Sequence, residues 1–350
     1  MSHPPKAHQN RSVLAAVTLF FVAPLVAEFL LGDFPATWLP LIIVLAPMYG
    51  GGAILIRELT RRTGRGWPTI LLLGVAYAIV EEAFTTQSLF NPHYLGMHLL
   101  SHAWIPALGI SAWWTLFMLN VHPFWSIGVS IALVEGLFPP PGGSRQSSAP
   151  TPWLGNISLS VAAVLFAFGV YWGTHYQFLH DPFRATAAQF IVSAVFVVAF
   201  AAAAFLIPPA SRNESAPSRN PSPVPSPWLM GLAAFLLGGA VFLSPILWDW
   251  GAVVLMLGVD LVFLVGIGLF SRYEGWTPLH TFSVGAGGAL LYGAHAFMQG
   301  PVVPCPKWIA LASHVLFMVL ALAVVALGAR RTHAALLKGT QQPASEHAGA

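Results

Sequence analysis

Long apolar runs constrain most strongly what this chain can fold into. Ten stretches of the sequence are apolar for roughly 20 residues, the helix length that crosses the hydrocarbon core of a bilayer. Charged residues make up 8% of the chain and hydrophobic residues 56%, whereas a soluble domain carries about 25% charged residues. So few charges cannot cover a water-exposed surface, and we therefore predict an all-α, polytopic integral membrane protein.

Basic residues fall on alternate sides of these runs. With a cytoplasmic N-terminus, 13 of the 15 lysines and arginines lie in inside segments, and only Arg184 and Lys307 lie outside. This asymmetry is typical of chains that insert with positive segments inside. The sequence predicts about ten transmembrane helices with both termini cytoplasmic, in a plasma membrane such as a bacterial inner membrane. The predicted spans are 13–31, 38–57, 68–89, 112–137, 153–173, 185–207, 228–247, 250–270, 280–299 and 308–329.

Two segments rich in proline, serine and glycine divide the chain into groups of helices. Both lack apolar periodicity and fall on the predicted cytoplasmic side, as expected of linkers. The predicted organisation is helices 1–4 in 1–138, a linker in 139–152, helices 5–6 in 153–207, a linker in 208–227, helices 7–10 in 228–338 and a disordered tail in 339–350. The basic clusters beside the spans are expected to meet anionic lipid head groups. The predicted partner is thus the bilayer, and no nucleic-acid partner is expected.

Acidic residues inside the predicted spans need an explanation. A charged side chain at the bilayer centre costs about 2.5 to 3.5 kcal/mol on insertion scales, and no lysine or arginine falls within the span interiors. A buried carboxylate must then be protonated, face water, meet a histidine or bind a cation. The histidines in the spans are His122, His295 and His314. The acids in the spans are Glu28, Glu81, Glu82, Glu135 and Asp260, of which Glu28 and Glu135 are near enough to helix ends to reach water.

Three of the predicted helices each carry a polar face. On the third helix, polar residues recur every three or four positions and so share one stripe: Tyr77, Glu81, Thr85 and Ser88. Glu82 lies beside this stripe on the same helix. The fourth helix carries His122 on such a face, and the ninth carries His295 and Gln299. We expect these faces to line one cavity in the outer half of the membrane, with Asp260 nearer the middle of the bilayer.

Short motifs on these faces resemble those of a known family. The CAAX-protease and bacteriocin-processing family of intramembrane metalloproteases carries the motifs EExxxR, FxxxH and HxxxN. The residues that resemble them here are Glu81-Glu82, His122, and His295 with Gln299. The chain differs from the motifs in having Thr86 in place of arginine, Met118 in place of phenylalanine and Gln299 in place of asparagine.

The resemblance implies roles for these residues. It implies that Glu81 activates water and that His122 and His295 contact a divalent metal such as zinc, or the oxyanion. Glu82 and Gln299 would then orient these groups. The implied substrate is a membrane-embedded peptide.

Two other functions remain open from the sequence. Membrane carboxylates without basic partners can carry protons, and ten helices suit two inverted repeats of a transporter for a small solute. The glycine-rich stretches GGGAIL and GGAVFL stand at corresponding places in the second and seventh helices. A membrane scaffold without turnover is the third alternative. The sequence therefore predicts an intramembrane glutamate and histidine site, and leaves its use open between these classes.

Overall fold

Helices make up nearly all of the architecture. A computed structural model of the protein describes residues 6–140, 151–209, 224–247, 249–273 and 275–341. Its α-helices are α1 (Lys6–Pro24), α2 (Ile42–Arg62), α3 (Trp67–Ile79), α4 (Ala112–Asn120), α5 (Ser130–Leu137), α6 (Asn156–His180), α7 (Ala187–Leu206), α8 (Pro227–Phe242), α9 (Asp249–Phe270), α10 (Pro278–His295) and α11 (Lys307–Gln341). In the loop before α4, strands β1 (Trp104–Ile105) and β2 (Ile110–Ser111) pair antiparallel.

The helical segments correspond to the ten predicted spans, since α4 and α5 belong to one continuous segment. Among the described residues, eight segments are long and apolar enough to cross a membrane. The other two are α8, which has 16 residues, and α10, which has 18 and is rich in glycine. The predicted all-α, multi-pass fold is confirmed.

Some predicted boundaries were wrong. Helix α6 continues to His180 instead of ending at 173, and α11 continues to Gln341 instead of 329. Helix α10 ends at His295, so that Gln299 lies beyond the helix on which it was predicted. Residues 141–150, 210–223 and 342–350, which hold most of the two predicted linkers and of the predicted tail, lie outside the described residues.

Burial separates a central group of helices from a peripheral one. Of the most apolar 18 residues in the continuous segment from α4 to α5, 83% are buried within the protein. The buried share is 67% for the segment that begins with α3. The corresponding value is 11% for each of α6, α7 and α9. The peripheral helices thus expose apolar side chains that a bilayer would cover, while the polar faces of the third and fourth spans are enclosed.

Charged side chains are buried at the predicted cytoplasmic ends of α2 and α5. Arg57 Nη1 lies 2.5 Å from Glu58 Oε1, and Arg57 Nε lies 3.1 Å from Glu135 Oε1. Arg61 Nη2 contacts the other oxygen of Glu135 at 2.9 Å. The Trp153 ring stacks on Arg57, with its centroid 3.3 Å from Cζ. The expectation that Glu135 simply reaches water was wrong, because α2 continues far enough to bring two arginines to it.

Glycine permits a close helix crossing next to the polar faces. A Cβ atom added to Gly74 of α3 would lie 2.8 Å from Pro123 Cα, well inside ordinary contact distance. Small residues allow membrane helices to approach in this way. Gly74 therefore helps to hold the third span against the residues that follow His122.

We expect Gly74→Val to destabilise the protein by about 1 to 3 kcal/mol, the usual cost of overpacking. The valine would force the third and fourth spans apart. Thermal unfolding in detergent measures the effect. Gly258→Val on α9 is the matched control, because a Cβ there meets nothing within 4 Å. Equal melting temperatures for the two variants would contradict this view of the crossing.

The charge asymmetry predicts which loops face the cytoplasm. A cysteine replacing Ser147 or Ser218 in a Cys305→Ser background should react with a membrane-impermeant maleimide only after cells are permeabilised. The native Cys305, which follows α10, should react in intact cells. Labelling in the opposite order would overturn the predicted orientation.

Candidate functional site

In the described part of the chain, three π-helical turns interrupt the helices, and each carries an acidic residue or a histidine. Leu25–Leu30 follows α1 and contains Glu28, Val80–Thr85 follows α3 and contains the glutamate pair, and Val121–Val129 joins α4 to α5 and contains His122. π-Helical residues account for well under 1% of residues in proteins and occur frequently at functional sites. Their coincidence with the titratable groups marks this region as the candidate site.

Local sequence explains part of this irregularity. Pro123 lies inside the third turn and has no N–H to donate to Leu119, so the regular α-helical hydrogen bond is lost there. Pro24 immediately precedes the first turn. The second turn contains no proline. There the Thr86 N–H donates to the carbonyl of Glu81, five residues earlier, at 2.8 Å.

His122 lies between the two adjacent glutamates. Its Nε2 is 2.8 Å from Glu82 Oε1, and its Nδ1 is 3.2 Å from Glu81 Oε2. All three side chains are buried, with exposed fractions of 3% for Glu81, 6% for Glu82 and 4% for His122. On a regular helix, neighbouring side chains point about 100° apart. In the π-helical turn, both carboxylates nevertheless reach one imidazole ring.

Glu82 is held in place by hydrogen bonds. Its Oε2 accepts hydrogen bonds from the Ser88 hydroxyl and, at 3.1 Å, from the Thr86 hydroxyl. Trp114 Nε1 donates to Ser88 Oγ at 3.0 Å, which ties this group to the start of α4. Glu82 therefore has a fixed orientation, and through it the His122 ring is fixed as well.

Glu81 is different, because one of its oxygens is free to accept a hydrogen bond. Oε2 is buried and close to His122 Nδ1, but it has no hydrogen bond of acceptable geometry in the described structure. The Thr85 hydroxyl is also buried and without a hydrogen bond, and the Tyr77 hydroxyl makes none of acceptable geometry, although it is near enough to Glu81 to interact with that carboxyl group. The Tyr77 ring lies edge-on to His122, with centroids 6.0 Å apart. These three polar atoms belong to the second π-helical turn or to the residues just before it.

Glu28 adds a third carboxyl group to this region. Tyr49 donates a hydrogen bond of 2.5 Å to Glu28 Oε1, and the Tyr49 ring lies 6.3 Å from that of Tyr77. Glu28 is half-buried, and the expectation that it reaches water at a helix end left out Tyr49 of α2, which covers one of its oxygens.

The cluster is suited to bind a cation. One ligand atom from each of Glu81, Glu82 and His122 can be chosen so that all lie within 4.8 Å of one another. Among the described residues, neither glutamate has an ion pair with lysine or arginine. Two carboxylates in a buried site need a compensating positive charge, and here that charge can come from the histidine, a proton or a metal ion.

His295 lies outside this group. Its Nε2 is 3.1 Å from Gln299 Oε1, and its ring lies 4.5 Å from that of Phe242. Gln299 Nε2 in turn donates to Asp33 Oδ1 at 2.5 Å. Among the described residues, the group of possible metal ligands around His122 does not include His295. The sequence pattern treated Gln299 as part of a helical face, but α10 ends before it.

The remaining predicted site residues are dispersed. Asp260 of α9 accepts a hydrogen bond of 3.2 Å from Asn120 Nδ2. His314 of α11 is buried against Phe297, with ring centroids 5.7 Å apart. Neither is part of the glutamate and histidine cluster, so both are separate polar sites within the bundle.

A family comparison covers the cluster. A family model described as "Uncharacterized membrane protein family" matches residues 17–206. The chain belongs to this family. The matched region contains all four titratable residues of the π-helical turns and excludes His295 and Gln299. The family description supports the membrane assignment and lends no support to the resemblance to CAAX proteases. No curated protein and no solved structure matched the chain.

Asp33, in the loop after the first span, gives the chain a pH-dependent group. Burial, with the charge of Glu28, raises the pKa of Asp33 from 3.8 to about 8. Between these values the unfolded chain loses the proton while the folded protein retains it, so stability falls as the pH rises from about 4 to 8. We expect the melting temperature of the native protein to fall as the pH rises through this range. The melting temperature of the Asp33→Asn protein should fall less. Asp181→Asn, in another loop, should keep the native slope, and equal slopes for all three proteins would contradict the prediction.

Proposed function

We propose that the chain is an intramembrane hydrolase in which Glu81 and His122 activate a water molecule. The observation that supports this most directly is the free, buried oxygen of Glu81 beside an imidazole whose other nitrogen is held by a second carboxylate. A general base must lie within about 2.6 to 3.2 Å of the atom whose proton it takes. A water molecule that contacts Glu81 Oε2 would lie within reach of His122 Nδ1 as well.

The division of roles follows from the hydrogen bonds. Glu82 orients His122 and stabilises its protonated form, as the carboxylate does in a Ser-His-Asp triad. Glu81 has no such anchoring on Oε2 and can accept a proton from water. Glu82 is thus a positioning residue, while Glu81 and His122 are the catalytic residues of the proposed reaction.

The proposed reaction balances without an added oxidant or reductant. An O–H bond of water breaks, and its proton passes to Glu81. The oxygen forms a bond to the substrate carbonyl carbon, and the C–N bond of a peptide then breaks. Protonated His122 gives a proton to the leaving amine, and the proton held by Glu81 then passes to His122, so that both residues return to their starting state. The proposed substrate class is a membrane-embedded peptide, because the site lies among helices that are long and apolar enough to span a membrane.

The same residues fit a divalent metal. A catalytic zinc site commonly uses three protein ligands and leaves one position for water, and Glu81, Glu82 and His122 offer three ligand atoms close together. Bound there, a metal would supply Lewis acidity and lower the pKa of water. A hydrogen bond between the second ring nitrogen and a carboxylate is also common for histidine ligands.

A cleavage assay tests the proposal. The native protein, reconstituted in liposomes with a library of transmembrane peptides, should give products that mass spectrometry detects. His122→Ala should remove them, and Asp260→Asn should not, because Asp260 is a membrane carboxyl group outside the cluster. Metal content is measured on the same samples. Products from the His122→Ala protein at the native rate would overturn the proposal.

Proton-coupled transport is the second candidate, and a separate polar chain favours it. Gln299 is hydrogen-bonded to His295 through its amide oxygen and donates to Asp33 through its amide nitrogen. These contacts lie just beyond the helical segments that carry Glu28 and Tyr292. His295 and Asp33 are titratable groups of the kind that carry protons in membrane proteins, and the Gln299 amide holds them in one hydrogen-bonded group. Liposomes containing a pH-sensitive dye distinguish the two functions. Proton flux that scales with an imposed gradient and is lost in Asp33→Asn would favour transport.

A further inference from the structure

A basic cavity lies at the opposite end of the protein from the Asp33 chain. It has a volume of about 620 Å³ and lies between the start of α1, the end of α5 and the end of α11. Its lining includes Arg11, Arg331 and Lys338 and contains no acidic residue among the described positions. These basic residues have no salt bridge within the described structure. The cavity therefore carries a positive charge that no described acidic residue compensates.

Both arginines of the cavity lining are held by backbone carbonyls at the end of α5. Arg11 Nη2 donates to the Pro139 carbonyl at 2.7 Å, and Arg331 Nη1 donates to the Leu137 carbonyl at 2.9 Å. A guanidinium has five N–H donors, so each arginine keeps donors for another acceptor. Fixed guanidinium groups with free donors suit phosphate oxygens, which they can bind through two hydrogen bonds.

The rest of the cavity is apolar. Leu14, Leu137, Phe138 and Ala334 contribute to the lining. Leu14 and Ala334 are exposed on helices that span the membrane. Free phosphate would gain nothing from this apolar surface, whereas the acyl chains of a lipid would cover it.

We propose that this cavity binds the head group of an anionic phospholipid in the cytoplasmic leaflet. Its phosphate would contact Arg11, Arg331 and Lys338, and its glycerol and upper acyl chains would lie along the apolar wall. Basic pockets between transmembrane helices on the cytoplasmic side bind such lipids. A bound lipid would join the first and last helices of the chain to α5, which follows the π-helical turn containing His122. The inference does not depend on the proposed hydrolase activity.

Adjacent arginines on α11 allow a matched experiment. Arg331 lines the cavity and Arg330 does not. Native mass spectrometry of the full-length protein, titrated with phosphatidylglycerol, should show about fivefold weaker binding for Arg331→Gln and for Lys338→Gln, as one basic residue near the surface contributes about that much. Arg330→Gln should bind like the native protein. Lys338→Gln guards against misfolding, because Lys338 holds no backbone carbonyl among the described contacts.

Competition identifies the source of the phosphate group. Phosphatidylcholine should not displace phosphatidylglycerol, and neither should millimolar inorganic phosphate. Equal loss of binding in the Arg330 and Arg331 variants would overturn the proposal. Displacement by phosphatidylcholine or by inorganic phosphate would overturn it as well, the latter by showing a site for the free ion.

Discussion

Glu81→Gln is expected to lower the rate of peptide hydrolysis by about 10² to 10⁴, the usual contribution of a general base. Glutamine nearly preserves the volume of the side chain but cannot accept a proton from water. The buried position should therefore tolerate the change, and the melting temperature should stay close to the native value. The rate is measured under single-turnover conditions in liposomes, so that product release does not hide the chemical step.

Two further variants make this result specific. Glu81→Asp keeps the carboxylate but withdraws it from His122, and should retain part of the activity. Asp260→Asn makes the same acid-to-amide change in another part of the bundle and should be close to native. If Glu81→Gln retains the native rate while folding normally, Glu81 is not the base.

Arg57→Ala is expected to lower the free energy of unfolding by about 3 to 5 kcal/mol, the cost of breaking a buried ion pair from one side. Arg57 has no exposed surface and contacts two glutamates and the Trp153 ring. Its removal would leave Glu58 buried with weaker compensation. Denaturant unfolding in mixed micelles measures the change.

An exposed arginine provides the control for this measurement. Arg272 follows α9 and is exposed, so Arg272→Ala should change stability by less than about 0.5 kcal/mol. A double change of Arg57→Met with Glu58→Met should recover part of the loss, because it removes the buried Glu58 charge while Glu135 keeps Arg61 as a partner. Equal effects of Arg57→Ala and Arg272→Ala would show that the ion cluster contributes no special stability.

The sequence predicted the central cluster because charge within apolar spans is conspicuous. Glu81, Glu82 and His122 were the groups for which the membrane environment required a partner, and the structure brings these three together. Their approach depends on π-helical turns. Such turns follow from the packing of neighbouring helices as well as from local sequence, so regular helical periodicity could not predict them.

Other residues were misplaced for identifiable reasons. Arg57 marked the end of the second predicted span, since an arginine there usually faces water, and its partners Glu58 and Glu135 were not recognised. The sequence has no proline or glycine between His295 and Gln299 that would end the ninth span there. His295 and Gln299 were therefore assigned to one helical face. Glu28 was assigned to water because its partner Tyr49 lies on a different helix.

Isotope labelling of the product tests the central claim most directly. The native protein is incubated with membrane-embedded peptides in water enriched in ¹⁸O, and new carboxyl termini are analysed by mass spectrometry. Water activation at Glu81 and His122 predicts one ¹⁸O atom in each new terminus with the native protein, and a loss of labelled product in Glu81→Gln. Absence of labelled termini with the native protein, or equal labelling with the variant, would contradict a hydrolytic site in this cluster.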